Sequence, residues 1–194
     1  MNDWIYEKYT IGLSKSKRLA TMATALYLLS ERDGKTLVET GTIRFPDDWG
    51  AGMSTLIFGE YAKRNNAHLY TVDINPNAIE TCKKVTEEFK DNVSYIISDS
   101  IEFLKNFNQK IDLLYLDSMD CPEHDASDSP ALITSQTHQL NEMKLAIEKL
   151  SDNPIVLLDD NEFINGGKTK LTKKFLKENG FKEILGGKQS LWVK

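Results

Sequence analysis

The chain has 194 residues, of which 40% are hydrophobic, and its formal net charge is −5. This length is enough to bury one sizeable core, and no linker rich in proline, glycine or serine divides it, so residues 1–194 are predicted to form a single domain. The acidic balance argues against nucleic acid or a membrane as the main partner, because both need a concentrated basic face. Cys82 and Cys121 show neither metal-binding nor disulfide spacing, which favours a reducing cytoplasm.

The N-terminal segment, residues 1–34, is predicted to be helical. A helix over residues 15–29, with Ser14 as its cap and Gly34 as its stop, is too short and too rich in threonine to span a bilayer. Its apolar face is formed by Leu19, Met22, Ala23 and Leu26. Three aromatic residues before it are candidates to line a pocket or a contact between the subunits of a homodimer: Trp4, Tyr6 and Tyr9.

Five short apolar runs follow, and each of them ends in a carboxylate. The acids that end these runs are Glu39, Asp73, Asp99, Asp117 and the pair Asp159-Asp160. Such runs are typical of parallel strands that are buried on both faces. Because the carboxyl ends of parallel strands share one edge, where open α/β sheets bind ligands, we expect one acidic crevice. That crevice favours a ligand that is cationic or that comes with a metal.

Helical segments alternate with these strands, and a different pattern ends the chain. The helices are predicted at residues 52–64, 76–90, 100–107, 130–150 and 167–179. The longest has a predicted core-facing stripe of Ile133, Leu140, Met143, Ile147 and Leu150. Residues 181–185 and 190–193, joined at Gly186-Gly187, indicate an antiparallel hairpin. The predicted fold is therefore α/β: a Rossmann-like three-layer sandwich over residues 35–194, with a seven-stranded, mostly parallel sheet and a C-terminal antiparallel hairpin.

The junction after the first strand carries the strongest motif of the sequence. Its candidate ligand-contacting residues are Glu39, Gly41, Thr42, Gly52, Ser54 and Thr55. Glycine lets the backbone approach a ligand closely, and a helix start offers unpaired N–H groups. The G-x-G-x-x-G motif of dinucleotide-binding folds is absent, and Asp47 and Asp48 in the loop are unfavourable for two phosphates. A purely structural turn is the alternative.

The second junction adds an acid that suits a sugar. Asp73 follows Gly52 by about twenty residues, a spacing at which an acid accepts both hydroxyls of a ribose. The alternative is a helix cap, although Asn75 is available for that role.

With Glu39-x-Gly41, Asp73, Asp99-Ser100 and Asp117 in this order, residues 35–194 resemble the class I S-adenosylmethionine-dependent methyltransferases. The resemblance implies that S-adenosylmethionine is the cofactor, with the glycine loop under its methionine part. It also implies that the acid after the second strand holds the ribose and that the acid after the third contacts the adenine. The implied cofactor-binding residues are Glu39, Gly41, Thr42, Gly52, Ser54, Thr55, Asp73, Ile74, Asp99, Ser100 and Asp117.

Two segments, Leu113 to Asp117 and Leu157 to Asn161, resemble the metal-ligand segments of catechol-type and caffeoyl-CoA-type O-methyltransferases. This narrower resemblance implies Mg²⁺ or Ca²⁺ on Asp117, Asp160 and Asn161, and O-methylation of a small hydroxylated acceptor. The alternative is that these acids only cap helices or contact the cofactor.

The catechol-type enzymes carry a lysine base three residues after the first metal acid, where this chain has Asp120. Asp120 is a candidate ligand or base, and His124 and His138 are further candidate bases, with exposure to solvent as the alternative for both histidines. The stretch Ser135 to His138 and the loop Gly166-Gly167-Lys168 also resemble bacterial small-molecule methyltransferases. The candidate catalytic residues are therefore Asp117, Asp120, His138 and Lys168.

Some alternatives stay open at this point. Phe45 and Trp49, in the loop of residues 43–51, either cover the cofactor, line the acceptor pocket or pack against the N-terminal helix. The missing lysine supports a second hypothesis, a non-catalytic cofactor-binding or regulatory protein. A nicotinamide oxidoreductase comes third, because the dinucleotide motif is absent.

Overall fold

A computed structural model of the chain describes residues 3–50, 53–122 and 129–194. The helices are Asp3–Lys15 (α1), Leu19–Glu31 (α2), Ser54–Arg64 (α3), Pro76–Val85 (α4), Ser100–Asn106 (α5), Pro130–Ala146 (α6) and Lys170–Glu178 (α7). The strands are Thr36–Thr40 (β1), His68–Asp73 (β2), Val93–Ile97 (β3), Ile111–Leu116 (β4), Leu150–Leu158 (β5), Lys182–Gly186 (β6) and Ser190–Val193 (β7). Short 3-10 segments lie at Glu87–Asn92, Ile147–Lys149 and Ile164–Thr169.

The strands form one seven-stranded sheet in the order β3-β2-β1-β4-β5-β7-β6. The first five strands are parallel, whereas β7 pairs antiparallel with both β5 and β6. This arrangement confirms the predicted fold, including the terminal hairpin. The chain reverses its direction of winding at β1, which lies between β2 and β4, and such a switch point opens a crevice at the carboxyl edge of a sheet.

Alternate residues of the central strands point to opposite faces, and each face is covered by helices. Leu37 of β1 packs in one core cluster with residues of α2 and α3, such as Leu26 and Phe58. Its neighbour Val38 packs in the other cluster, with Met143 of α6 among its members. The sheet is therefore the middle of three layers, and its acidic strand ends are left at the edge.

The N-terminal segment contains two helices, so the prediction of a single helix that begins near Ser14 is wrong. Ser14 lies inside α1, and the second helix begins at Leu19. Trp4 and Tyr9 are buried within the chain, which leaves Tyr6, 55% exposed, as the aromatic residue of this set that faces solvent. Within the described ranges, no helix is both long and apolar enough to cross a bilayer.

Of the stripe predicted for α6, Met143 is buried as expected, but the buried face of this helix also carries polar residues. Ile133 is 51% exposed, whereas Gln136, Gln139 and Glu142 are buried. The two glutamines donate hydrogen bonds from Nε2 to the carbonyls of Gly167 at 2.9 Å and Leu116 at 3.3 Å. Because buried carbonyls need donors, polar residues share this face with Met143, and apolar periodicity marks only part of it.

Candidate active site

Two adjoining cavities open at the carboxyl edge of the sheet, one of 490 Å³ and one of 300 Å³. Gly41, Asp73, Ser118 and Asp120 line both of them. The acidic ends of the parallel strands therefore converge on one crevice, as the sequence predicts.

Gly41 allows the ends of β1 and β4 to meet. Its φ is +86°, and a Cβ atom built on it would lie 2.4 Å from the backbone oxygen of Asp117. The amide of Asp117 in turn donates to the carbonyl of Thr40 at 2.9 Å. Any larger residue at position 41 would be strained and would push the two loops apart.

Glu39 lies beneath the crevice and is fully buried. Its carboxylate accepts hydrogen bonds from the hydroxyls of Ser54 at 2.5 Å, Thr55 at 2.7 Å and Thr71 at 2.8 Å. Burial raises the pKa of Glu39 to about 7, although the three hydroxyls oppose this rise. Glu39 is not among the described residues that line the two cavities. Its hydrogen bonds instead hold the start of α3 and the end of β2 in place from below.

We expect Glu39 to make stability depend on pH. Because its pKa is higher in the folded chain than the ordinary value of 4.5, the free energy of unfolding should fall as pH rises from about 4.5 to 7 and level off above. The loss should be on the order of 2–3 kcal/mol, and the Glu39→Gln variant should lack it. Urea unfolding of both proteins between pH 5 and pH 8 measures this difference. Parallel pH curves for the two proteins would contradict the expectation.

The smaller cavity brings together several of the predicted cofactor-binding residues, including two of the four acids. Asp73, Ile74, Asp99 and Ser100 all line it. Asp99 also caps α5, since its Oδ1 accepts from the amide of Ile101 at 2.9 Å.

Asp73 is free of the capping role, because Asn75 caps α4. Asn75 Oδ1 accepts from the amide of Asn77 at 2.9 Å. Burial raises the pKa of Asp73, and its Oδ1 accepts from the amide of Asn75 at 2.8 Å.

His138 also lines the smaller cavity, so it is not the solvent-exposed histidine of the alternative. Its Nε2 lies 3.1 Å from Ser100 Oγ and 3.5 Å from Glu142 Oε1. The hydrogen bond with Glu142 raises the pKa of His138 above its ordinary value. His138 is therefore placed to fix Ser100 at the wall of this cavity.

The larger cavity contains the ends of β4 and β5 with their acids. Asp117 and Asp160 line it, and Lys168 Nζ lies behind them, 2.5 Å from Asp117 Oδ1 and 3.2 Å from Asp160 Oδ2. Burial would lower the pKa of Lys168, but the two carboxylates outweigh it and raise that pKa. Lys168 therefore remains an ammonium and cannot accept a proton as a base in this arrangement.

A buried ion pair lies under this cluster. Arg18, between α1 and α2, donates from Nε to Asp159 Oδ2 at 2.8 Å and from Nη2 to Asp159 Oδ1 at 3.1 Å. The hydroxyl of Tyr115 donates to Asp159 as well. Burial would raise the pKa of Asp159, but Arg18 outweighs burial and lowers it.

The two aromatic residues of the loop between β1 and α3 lie in different places, one at a cavity rim and one against α1. Phe45 is 65% exposed at the rim of the larger cavity. Trp49 packs against α1, where its ring lies 5.8 Å from that of Tyr9 and fills the space beside Gly12. Arg44 joins this loop to the one after β4 through an ion pair with Asp120 at 2.8 Å.

Several predicted site residues do not lie on the cavities. Thr55 is buried below them with Glu39, whereas Thr42 and Ser54 line the larger cavity. Asn161 Oδ1 accepts instead from Thr169 Oγ1 at 2.9 Å and Lys173 Nζ at 3.0 Å. Gly52 and His124 lie outside the described residues.

Sequence reasoning missed three cationic residues of the larger cavity: Arg18, Arg44 and Lys188. The available signal was the excess of acids, since buried carboxylates need cationic partners. Nothing in the spacing of the sequence indicates which cations supply them.

Solved structures described as methyltransferases share this fold. An SAH-bound methyltransferase of Podospora anserina, PaMTH1, matches with a TM-score of 0.64 and 17% identity, over 91% of this chain and 78% of that chain. A Clostridium thermocellum protein provisionally described as an rRNA methylase matches with a TM-score of 0.60 and 15% identity, over 89% of this chain and 95% of that one. The T. thermophilus 16S rRNA N2 G1207 methyltransferase, in complex with AdoMet and guanosine, matches with a TM-score of 0.57 and 15% identity. The match covers 88% of this chain and 41% of that chain.

No curated protein matches the sequence significantly. A family model described as "Methyltransferase domain" matches residues 48–161. These residues make up more than half of the chain and include the acids after β2, β3, β4 and β5. The chain belongs to this family of methyltransferase domains.

Proposed function

We propose that the protein transfers a methyl group from S-adenosylmethionine to an oxygen of a small hydroxylated acceptor. The observation that carries this proposal is the pair of adjoining cavities that share Gly41 and Asp73. S-adenosylmethionine supplies a methyl group on a cationic sulfur, and the carboxyl group of Asp73, which lines both cavities, favours such a ligand. The proposal treats residues 1–194 as one domain in a reducing cytoplasm, where the buried thiols of Cys82 and Cys121 stay free.

The adenosine part is proposed to occupy the smaller cavity. Asp73 would accept the two ribose hydroxyls, with Ile74 and Asp99 beside the adenine. Ser100, held by His138, would form the floor there. The methionine part would extend over Gly41 toward Thr42 and Ser54 in the larger cavity.

The rest of the larger cavity is proposed to receive the acceptor. We propose that Asp117 binds the acceptor hydroxyl and takes up its proton as the methyl group leaves the sulfur, because Asp117 lines this cavity and its side chain is 25% exposed. Asp120 is a weaker candidate, since it is paired with Arg44 and is 77% exposed. Positioning the hydroxyl in line with the methyl group is then the main contribution of the protein.

The residues expected to hold a metal do not fit one in this arrangement. Lys168 lies between Asp117 and Asp160, and the side-chain oxygen of Asn161 is engaged by Thr169 and Lys173. Within the described residues, no group of three or more histidine, cysteine or acidic side chains is arranged to hold a metal ion. We therefore propose methyl transfer without a step through Mg²⁺ or Ca²⁺.

The Asp73→Asn variant tests the cofactor assignment. Loss of charge-assisted bonds to the ribose should weaken binding of S-adenosylhomocysteine by about 10- to 100-fold, measured by calorimetry. The matched control is Asp152→Asn, an exposed acid near the amino end of β5, which should bind like the wild type. Binding of NAD in place of S-adenosylhomocysteine would overturn the assignment.

Methyl release distinguishes an enzyme from a cofactor-binding or regulatory protein. Radiolabelled S-adenosylmethionine is incubated with a panel of catechols, sugars and other hydroxylated small molecules, and with total RNA as a separate arm. Label in a small hydroxylated compound supports the proposal. Label in RNA alone would show that the acceptor is RNA and not a small molecule. Cofactor binding without any methyl transfer would favour the regulatory alternative.

A further inference from the structure

We infer that Lys168 is a built-in cation that takes the place of a divalent metal between the ends of β4 and β5, and that it positions Asp117 and Asp160 at the acceptor cavity. This inference rests on the proposed methyl transfer for its functional meaning. Its structural basis is independent of the acceptor, because it concerns contacts within the chain.

The ammonium of Lys168 has a complete set of partners. Nζ lies 2.5 Å from Asp117 Oδ1 and 3.2 Å from Asp160 Oδ2, and it donates to the carbonyl of Met119 at 3.0 Å. A lysine ammonium has three donors, and three acceptors surround this one. The side chain is 2% exposed, so water does not compete for these contacts.

The other oxygens that a metal would need are already engaged. Asp160 Oδ1 accepts from Lys188 Nζ at 2.9 Å. Asn161 is turned toward the hairpin, since its Nδ2 donates to the carbonyl of Gly187 at 2.8 Å. A metal would therefore have to displace one ammonium and compete with a second.

The segment that carries Lys168 is shaped to bring it there. Gly167 has a φ of +55°, and a Cβ atom built on it would lie 1.7 Å from the backbone oxygen of Asp160. Gln136 of α6 donates to the carbonyl of Gly167 at 2.9 Å. The close approach of this backbone to the end of β5 explains the glycine, and it places the next residue between the two acids.

The acidic side chains of the cluster are matched in number by basic side chains of the chain itself. The carboxylates of Asp117, Asp159 and Asp160 face three cationic side chains, which are Arg18, Lys168 and Lys188. A divalent ion would add charge beside a buried ammonium, and repulsion between like charges is strong where water is excluded. In the absence of Lys168, two adjacent carboxylates would instead present hard oxygen ligands to such an ion.

Metal binding to the full-length chain tests the inference, with Mn²⁺ as the probe and its electron paramagnetic resonance signal as the readout. After dialysis against EDTA, the wild type should bind Mn²⁺ no more tightly than about 1 mM, the weak end of protein sites for such cations. Lys168→Ala should bind it at least about tenfold more tightly. Adding Asp160→Asn to this variant should remove the gain.

Lys170→Ala, which changes an exposed lysine at the start of α7, is the matched control and should behave like the wild type. Lys168→Met keeps the apolar stem of the side chain and replaces the alanine variant if that variant does not fold. Tight Mn²⁺ binding by the wild type, or no gain in a folded Lys168 variant, would overturn the inference. Failure of the wild type to bind S-adenosylhomocysteine would instead overturn the proposed function. The Mn²⁺ measurement would still test the role of Lys168.

Discussion

Replacement of Gly41 by alanine is expected to lower the free energy of unfolding by about 2–4 kcal/mol, the range of a strained left-handed residue combined with a backbone clash. The new Cβ atom would lie 2.4 Å from the backbone oxygen of Asp117 and 2.9 Å from its carbonyl carbon. Neither atom belongs to a flexible side chain, so β1 and β4 must separate at the point where the two cavities meet. Urea unfolding measures the loss of stability, and calorimetry should show weaker binding of S-adenosylhomocysteine, by at least about tenfold.

Gly180→Ala provides the matched control for this experiment. Gly180 has a φ of +84°, close to that of Gly41, but among the described residues no atom beyond its chain neighbours lies within 4 Å of its built Cβ. The free energy of unfolding of Gly180→Ala should fall only by the cost of the left-handed conformation, about 1 kcal/mol. The variant should bind S-adenosylhomocysteine as the wild type does. Equal losses in the two variants would show that contact with Asp117 is unimportant.

Replacement of Arg18 by methionine is expected to destabilise the chain by about 3–5 kcal/mol, the typical effect of removing one partner of a buried ion pair. Arg18 is 4% exposed and Asp159 is 0% exposed, so Asp159 would be left buried and charged near Asp117. The pKa of Asp159 would rise once Arg18 is gone. The difference from the wild type should therefore be largest near neutral pH and should shrink as pH falls toward 4 and Asp159 takes up a proton.

Lys17→Met is the control for charge alone. Lys17 pairs with Glu162 at 3.3 Å, and both side chains are exposed, 71% and 37% respectively. Pairs of this kind contribute about 0–1 kcal/mol, so the variant should unfold nearly as the wild type does. A small effect of Arg18→Met, or one that does not vary with pH, would argue that Asp159 is not held as a carboxylate by Arg18.

The strands and the acidic edge could be predicted because both depend on local sequence. Apolar runs of strand length mark β1 to β5, and a residue that follows a parallel strand lies at the carboxyl edge whatever the partner strands are. Asp73, Asp99, Asp117 and Asp160 were placed correctly at that edge for this reason. Glu39 does not lie at the cavities, because it is the fourth residue of β1 and its side chain points toward the start of α3.

The partners of these acids could not be predicted, because they come from distant parts of the chain. Lys168 lies 51 residues from Asp117, and Arg18 lies 141 residues from Asp159. The polar part of the buried face of α6 was missed for a related reason: it binds carbonyls through glutamine side chains, so apolar periodicity does not mark it. Gly41 was identified, but for a different contact, since its missing side chain makes room for the backbone at Asp117.

The contact between Trp49 and Gly12 bears on how the loop between β1 and α3 can be exchanged with that of a relative. A Cβ atom at Gly12 would lie 2.2 Å from the indole ring, so a bulkier residue there would expel the tryptophan. The segment of residues 43–50, which carries Phe45 to the cavity rim, is thereby seated on α1. A chimera that exchanges this segment alone would lose the packing of the loop against α1. A chimera that exchanges α1 and the loop together would keep it.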